Sequence, residues 1–170
     1  MKKFILTSFV AIGLGISVNA NNLPSWFVKD NTNINNIIKK SKSTHKKIIL
    51  FFDLQGCPYC IKMINVNLRR GKLAKLTREN FIVVHINSEG SRIVHYKNFK
   101  GTEKEFKQKL KLIFSPTMVF LNKSGDIIAK FPGYRNPKKY KSILNYIISK
   151  SYKKFTYEEY LSEIKFEEKW

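Results

Sequence analysis

The chain has 170 residues, 43% of them hydrophobic and 14% aromatic, enough to build the core of one domain and too apolar for a disordered protein. Its formal net charge is +20, nearly all lysine, with arginine only at Arg69, Arg70, Arg78, Arg92 and Arg135. The lysines are spread along the chain and interleave with apolar positions, which excludes a basic nucleic-acid-binding block and leaves a weak electrostatic attraction to acidic surfaces.

The first 20 residues have the layout of a secretory signal peptide: Lys2 and Lys3, a mostly apolar run from Phe4 to Val18, and the small-residue site Val18-Asn19-Ala20. The run falls short of the ~20 apolar residues of a membrane span, so a periplasmic or secreted product is expected after cleavage near Ala20. Residues 21–170 then form a single domain. Trp26 and Phe27 open it, and Ile34, Ile37 and Ile38 at helical spacing predict an N-terminal helical extension. Lys39 to Lys47 reads as a polar connector. Ile48-Ile49-Leu50-Phe51-Phe52 follows as a buried strand.

After a brief turn at Asp53-Leu54-Gln55-Gly56, Cys57-Pro58-Tyr59-Cys60 opens a helix with Cys60, Ile61, Ile64 and Leu68 on one face. Pro58 suits the first helical position, where an N–H is not needed. Cys57 sits at the mouth of the helix, where unpaired N–H groups and the positive end of the macrodipole favour an anion. A thiolate is such an anion, and it is the nucleophilic form. Two cysteines so placed alternate between a small disulfide and a dithiol. C-x-x-C is also half of a zinc site, yet the chain has no third cysteine, and His45, His85 and His95 are scattered. As a structural staple, so short a loop removes little entropy from the unfolded chain. No metal and no cofactor is expected.

Further on, Leu73 to Arg78 reads as a short helix and Phe81-Ile82-Val83-Val84-His85-Ile86 as a central strand, with His85 a hydrogen-bonded residue at the core's edge. Ser88 to Gly101 reads as an inserted loop, with a short extended piece at Ile93-Val94. Thr102-Glu103-Lys104-Glu105 is a capping box ahead of a helix whose buried face is Phe106, Leu110, Ile113 and Phe114. Ser115-Pro116-Thr117 ends that helix. A hairpin follows, Met118 to Leu121 and Ile127 to Phe131 around Asn122-Lys123-Ser124-Gly125. Asn136-Pro137 then starts a last helix through Tyr140, Ile143, Leu144, Ile147 and Ile148. The expected fold is α/β, a mixed central sheet flanked by helices, with an aromatic tail (Tyr152 to Leu161) packed on the domain at an unassigned place.

The C-x-x-C after a strand, and Ser-Pro-Thr before a hairpin and a terminal helix, resemble the thioredoxin superfamily over about residues 46–149. Gln55-Gly56-Cys57-Pro58-Tyr59-Cys60, Ser115-Pro116-Thr117-Met118-Val119-Phe120 and Pro132-Gly133-Tyr134 are similar to the periplasmic SoxW-type thioredoxins. The resemblance implies a thioredoxin-like fold with Cys57 and Cys60 as the catalytic pair. It also implies a cis bond at Pro116, and substrate contacts at Pro58, Tyr59, Ser115 and Pro116. Implied too are partners among disulfide-containing extracytoplasmic proteins, and a membrane electron donor of the DsbD/CcdA kind. The chain departs from cytoplasmic thioredoxins in having Gly56 for the Trp before the first Cys and Phe51 in the place of a buried acid. Asp53 is the nearest carboxylate, readable as a proton relay or as a turn residue ending the strand. The expected activity is reduction of extracytoplasmic disulfides; a thiol oxidase, a disulfide isomerase and a non-catalytic binding module of the same fold are the alternatives.

Overall fold

A computed structural model describes residues 23–29 and 32–167, with side chains to residue 164; the expected signal peptide lies outside the described residues. Helix α1 (Ile34–Thr44) starts where the Asn33 side chain accepts the N–H of Asn36 at 3.2 Å. It buries Ile34, Ile37, Ile38 and Ser41. The helix runs through most of the stretch expected as a connector. Ser41 fits its inner face because its hydroxyl donates to the Lys46 carbonyl, so a polar residue there does not break the buried stripe.

Strand β1 (Lys47–Asp53) is apolar on both faces and takes the centre of the sheet. It pairs in parallel with β2 (Phe81–Asn87) and antiparallel with β5 (Thr117–Leu121), which pairs antiparallel with β6 (Ile127–Pro132). The order is β2-β1-β5-β6, a mixed sheet. Between β1 and β2 run α2 (Pro58–Met63), which continues into a π-helical turn over Ile64–Leu68, and α3 (Gly71–Asn80). The outer edge of β2 is covered by the N-terminal segment. Val28 donates to the Val83 carbonyl at 2.8 Å and accepts from the His85 N–H at 3.0 Å, which satisfies part of an exposed strand edge.

Strand alternation divides the core into two layers. Ile49, Phe51, Val83 and Phe120 face Met63 and Ile64 of the α2 segment and Tyr140 and Ile143 of α5 (Pro137–Ile148). Ile48, Leu50, Phe52 and Val84 face α1 and Phe106 of α4 (Glu103–Lys109). Helices therefore lie on both faces, as expected. The capping box at Thr102 and Glu105 is present, and the Asn136 side chain caps α5 through the N–H of Lys139 at 2.9 Å.

Two expectations need correction. Ser88 to Gly101 is not simply a loop: β3 (Ile93–Tyr96) and β4 (Phe99–Thr102) form an antiparallel hairpin turning at Lys97-Asn98. Phe99 stacks on Phe106 at 5.3 Å between ring centres, and the Tyr96 hydroxyl donates to the Gly125 carbonyl at 2.7 Å. Helix α4 also stops earlier than its apolar pattern suggests. Lys111 adopts a left-handed conformation (φ 53°), and the N–H groups of Lys111 and Leu112 bond back to Gln108 and Lys107. This Schellman closure turns the chain outward. Phe106 and Leu110 are buried, but Ile113 and Phe114 are 80% and 62% exposed.

The aromatic tail has a definite seat. A short 3₁₀ turn at Ser151–Lys153 leads to α6 (Tyr157–Glu167). Tyr157 packs edge-on against Phe131 of β6 and Tyr146 of α5, with ring centres 5.0 and 5.3 Å away. The Tyr146 hydroxyl donates to the Phe155 carbonyl at 2.7 Å.

Candidate active site

The site stands at the carboxyl ends of β1 and β2, where α2 begins. Gly56 takes a positive φ of 74°, which only glycine adopts without strain, and the Cys57 N–H closes the turn onto the Leu54 carbonyl at 3.1 Å. Cys57 is then the N-cap of α2: its sulfur accepts the N–H of Cys60 at 3.2 Å, and Pro58 occupies the first turn. The two cysteines are joined as a disulfide with Cα atoms 5.3 Å apart.

Their environments differ. Cys57 is partly exposed, whereas Cys60 points into the core with 0% exposure. Alternation along the first helical turn produces this difference: Pro58 and Tyr59 face solvent while Cys60, Met63 and Ile64 face the sheet.

The Ser115–Pro116 peptide bond is cis. It brings the Ser115 carbonyl to 3.7 Å from Cys57 Sγ. Pro116 itself is buried, and its carbonyl accepts the N–H of Gly133 at 2.7 Å. Tyr59, Phe114, Ser115, Pro132, Gly133 and Tyr134 line an open, mainly apolar groove of about 400 Å³ beside the sulfurs. Tyr59 is 61% exposed on its rim, and Lys62 Nζ lies 4.9 Å from the centre of the Tyr134 ring. The residues named from the sequence (Cys57, Pro58, Tyr59, Cys60, Ser115 and Pro116) thus meet in one place.

Asp53 is more than a turn residue. It is 2% exposed at the end of β1, and its Oδ1 lies 2.6 Å from Nε2 of His85. His85 has the hydrogen bond expected of it, and the partner is the carboxylate nearest the cysteines in sequence. Sequence reasoning missed Ser88, placed in the insertion. Ser88 is buried, gives its N–H to the Asp53 carbonyl at 2.7 Å, and has its hydroxyl 3.3 Å from that of Ser115. It also missed Phe114, which the helix pattern assigned to the core. Among the described residues no three His, Cys, Asp or Glu side chains come together as metal ligands would.

A family model described as a thioredoxin-like domain matches residues 34–148. Among solved structures, the chain is similar to a thioredoxin-fold protein from Helicobacter pylori. The two are 23% identical, with 86% of this chain and 89% of that one covered and a TM-score of 0.63. It is similar to a thioredoxin from Thermus thermophilus at 16% identity, covering 72% and 88%, with a TM-score of 0.57. It is similar also to the DsbH oxidoreductase at 21% identity, covering 85% and 92%, with a TM-score of 0.51. No curated protein matches the sequence. At these identities the structural likenesses establish the fold.

Proposed function

The chain belongs to the thioredoxin-like domain family, and we propose that it is an extracytoplasmic thiol–disulfide oxidoreductase that reduces disulfides in other proteins. The observation that carries this reading is the unequal pair: a reachable Cys57 at a helix mouth, and a buried Cys60 one turn behind it. An exposed thiolate there attacks a partner's disulfide, forming a mixed disulfide and releasing one partner sulfur, which takes a proton from water. The Cys60 sulfur then attacks Cys57 Sγ and releases the second partner thiol. Two electrons pass to the partner, and the Cys57–Cys60 bridge remains.

The groove supports a protein substrate. Pairing of β5 with β1 begins at Thr117, so the Ser115 backbone lies outside the ladder, facing the sulfur, where an extended segment can align by strand addition. Tyr59, Phe114 and Tyr134 offer apolar contacts on either side. The leader-like residues 1–20 support the extracytoplasmic assignment, in the periplasm or outside the cell. A dithiol there needs recharging, and a membrane donor of the DsbD/CcdA kind, in keeping with the SoxW-like motifs, supplies the electrons.

The test is reduction of a protein disulfide such as insulin by the dithiothreitol-charged protein, together with equilibration against glutathione. Cys57→Ser is expected to abolish turnover, and Cys60→Ser to stop after one round as a mixed disulfide. A reductase should equilibrate toward the thioredoxin end of the family range, ~ −270 mV. A potential near −120 mV would assign the same site to a thiol oxidase instead, and native-rate turnover by Cys57→Ser would overturn the reading altogether.

A further inference from the structure

Lysines that stand far apart in the sequence are gathered by the fold at one pole. Strand β1 starts there at Lys47 and runs to Asp53, where the active-site turn begins. The pole therefore stands ~20 Å from the site end of the strand, at ~3.3 Å per residue. Because β5 runs antiparallel to β1, with Ile48 opposite Leu121, the turn from Asn122 to Asp126 returns to the same pole. Helix α1 ends there at Thr44, and Lys150 follows the end of α5 in a left-handed conformation (φ 63°).

These cations crowd one another. Lys123 Nζ lies 3.5 Å from His45 Nδ1, and Lys46 Nζ donates to the Arg78 carbonyl near the end of α3 at 2.8 Å. Burial, and then the charges of Lys150 and Lys123, pull the half-buried Lys47 ammonium below the ordinary lysine value. Carboxylates on the same segments are engaged elsewhere: Asp126 takes Lys97 and Asn122, and Glu79 takes Lys75. Among the described residues no carboxylate pairs with Lys47, Lys123 or Lys150. A helix C-terminus attracts a cation, which accounts for Lys46 on the Arg78 carbonyl. It does not account for Lys47 and Lys123, which belong to β1 and to the turn between β5 and β6.

We propose that this pole is a docking surface for an anionic lipid bilayer, which holds the protein with its active site facing away from the membrane. The proposal rests on the extracytoplasmic placement argued above, which sets the protein beside a membrane, and not on the thiol chemistry. Lys47, Lys123 and Lys150 are point charges on flexible stems, suited to a diffuse plane of phosphate groups; none offers the planar fork that grips one carboxylate or phosphodiester. Within residues 42–47, 122–126 and 149–154 no large apolar or aromatic side chain is exposed. The pole thus lacks a ring on which a base could stack and an apolar anchor for a protein interface. Docked in this way, the protein stays close to membrane-borne partners while Cys57, beyond the opposite end of β1, remains open to them.

The processed protein, residues 21–170, keeps every described element and is mixed with vesicles of phosphatidylcholine with or without phosphatidylglycerol, bound protein being read by flotation. Binding should require phosphatidylglycerol and weaken as salt rises from about 0.01 to 0.15 M, where the Debye length falls from about 30 to 8 Å. Each lysine close to an anionic surface contributes about 5-fold in affinity, so Lys47→Gln, Lys123→Gln and Lys150→Gln together should lose about 100-fold. Lys123→Gln with Lys150→Gln, expected to lose about 30-fold, serves if the triple variant does not fold, as judged by circular dichroism. The same charge removed at exposed Lys72, Lys109 and Lys138, each changed to Gln, should leave binding within about 5-fold of native. Equal losses from the two triple variants, or binding to phosphatidylcholine alone, overturn the proposal. So does tighter binding, at equal salt, to a DNA duplex or to polyglutamate than to the anionic vesicles. Insulin reduction by the same variants reports on the thiol–disulfide assignment separately.

Discussion

Cys57 and Cys60 differ in accessibility because a helix begins between them, and the same rule of local environment governs Tyr140, wholly buried in the core layer that holds Met63 and Ile64. Its hydroxyl meets the Thr77 hydroxyl at 2.9 Å. Burial pushes its ionisation upward from the ordinary tyrosine value, and the Thr77 hydrogen bond only partly opposes this. A group raised on folding contributes stability that is complete below its unfolded value, about 10, and is lost as pH climbs toward the folded one. Tyr140→Phe should therefore cost about 1 kcal/mol at neutral pH, the worth of one hydrogen bond, and flatten the decline between pH 9 and 11 relative to the native protein (expected from the same linkage, ~1.4 kcal/mol per pH unit at most). Urea unfolding at several pH values measures both. An unchanged alkaline slope would mean that other tyrosines dominate it.

At the scale of elements, an ion pair with a buried carboxylate helps fasten the inserted hairpin to the sheet, beside the Phe99 and Tyr96 contacts. Glu103, 1% exposed, accepts the N–H of Asn87 at 2.8 Å and two bonds from Arg92, at 2.6 and 3.1 Å. Gly90 lies against it so closely that an added Cβ would stand 2.0 Å from Glu103 Oε2. Gly90→Ala must displace a carboxylate held on several sides, at a cost of about 1–3 kcal/mol. Amide exchange over β3 and β4 should quicken before that of β1, and equal protection of all strands would refute this view of the hairpin as a separately anchored unit. The hairpin was not legible because its strands have four residues each and its turn, Lys97-Asn98, carries no glycine. The end of α4 was hidden for a related reason, since a lysine rather than a glycine takes the left-handed position at Lys111. By contrast, β1, β2, the capping box at Thr102 and the Asn136-Pro137 start of α5 could be read from sequence. There local chemistry and tertiary placement ask for the same residues.

Across the whole molecule, what could be read of the site follows the same division. Cys57 and Cys60 are neighbours in sequence and their spacing alone suggests redox chemistry, while Ser115 and Pro116 were placed beside them through a family resemblance rather than by spacing. The Asp53–His85 contact joins two strands 32 positions apart, and only the parallel register reveals it. Ser88 likewise becomes part of the site through folding, because its one signal in sequence is a position just past the end of β2. The N-terminal segment along β2 and the aromatic seat of α6 on Phe131 and Tyr146 frame this arrangement at opposite sides of the sheet. This arrangement leaves one sulfur partly exposed and its mate buried. The direct measurement is competitive alkylation of the fully reduced native protein with iodoacetamide at neutral pH, followed site by site with mass spectrometry. Cys57 should be labelled first, with Cys60 modified only slowly; equal labelling, or Cys60 ahead of Cys57, would contradict the account.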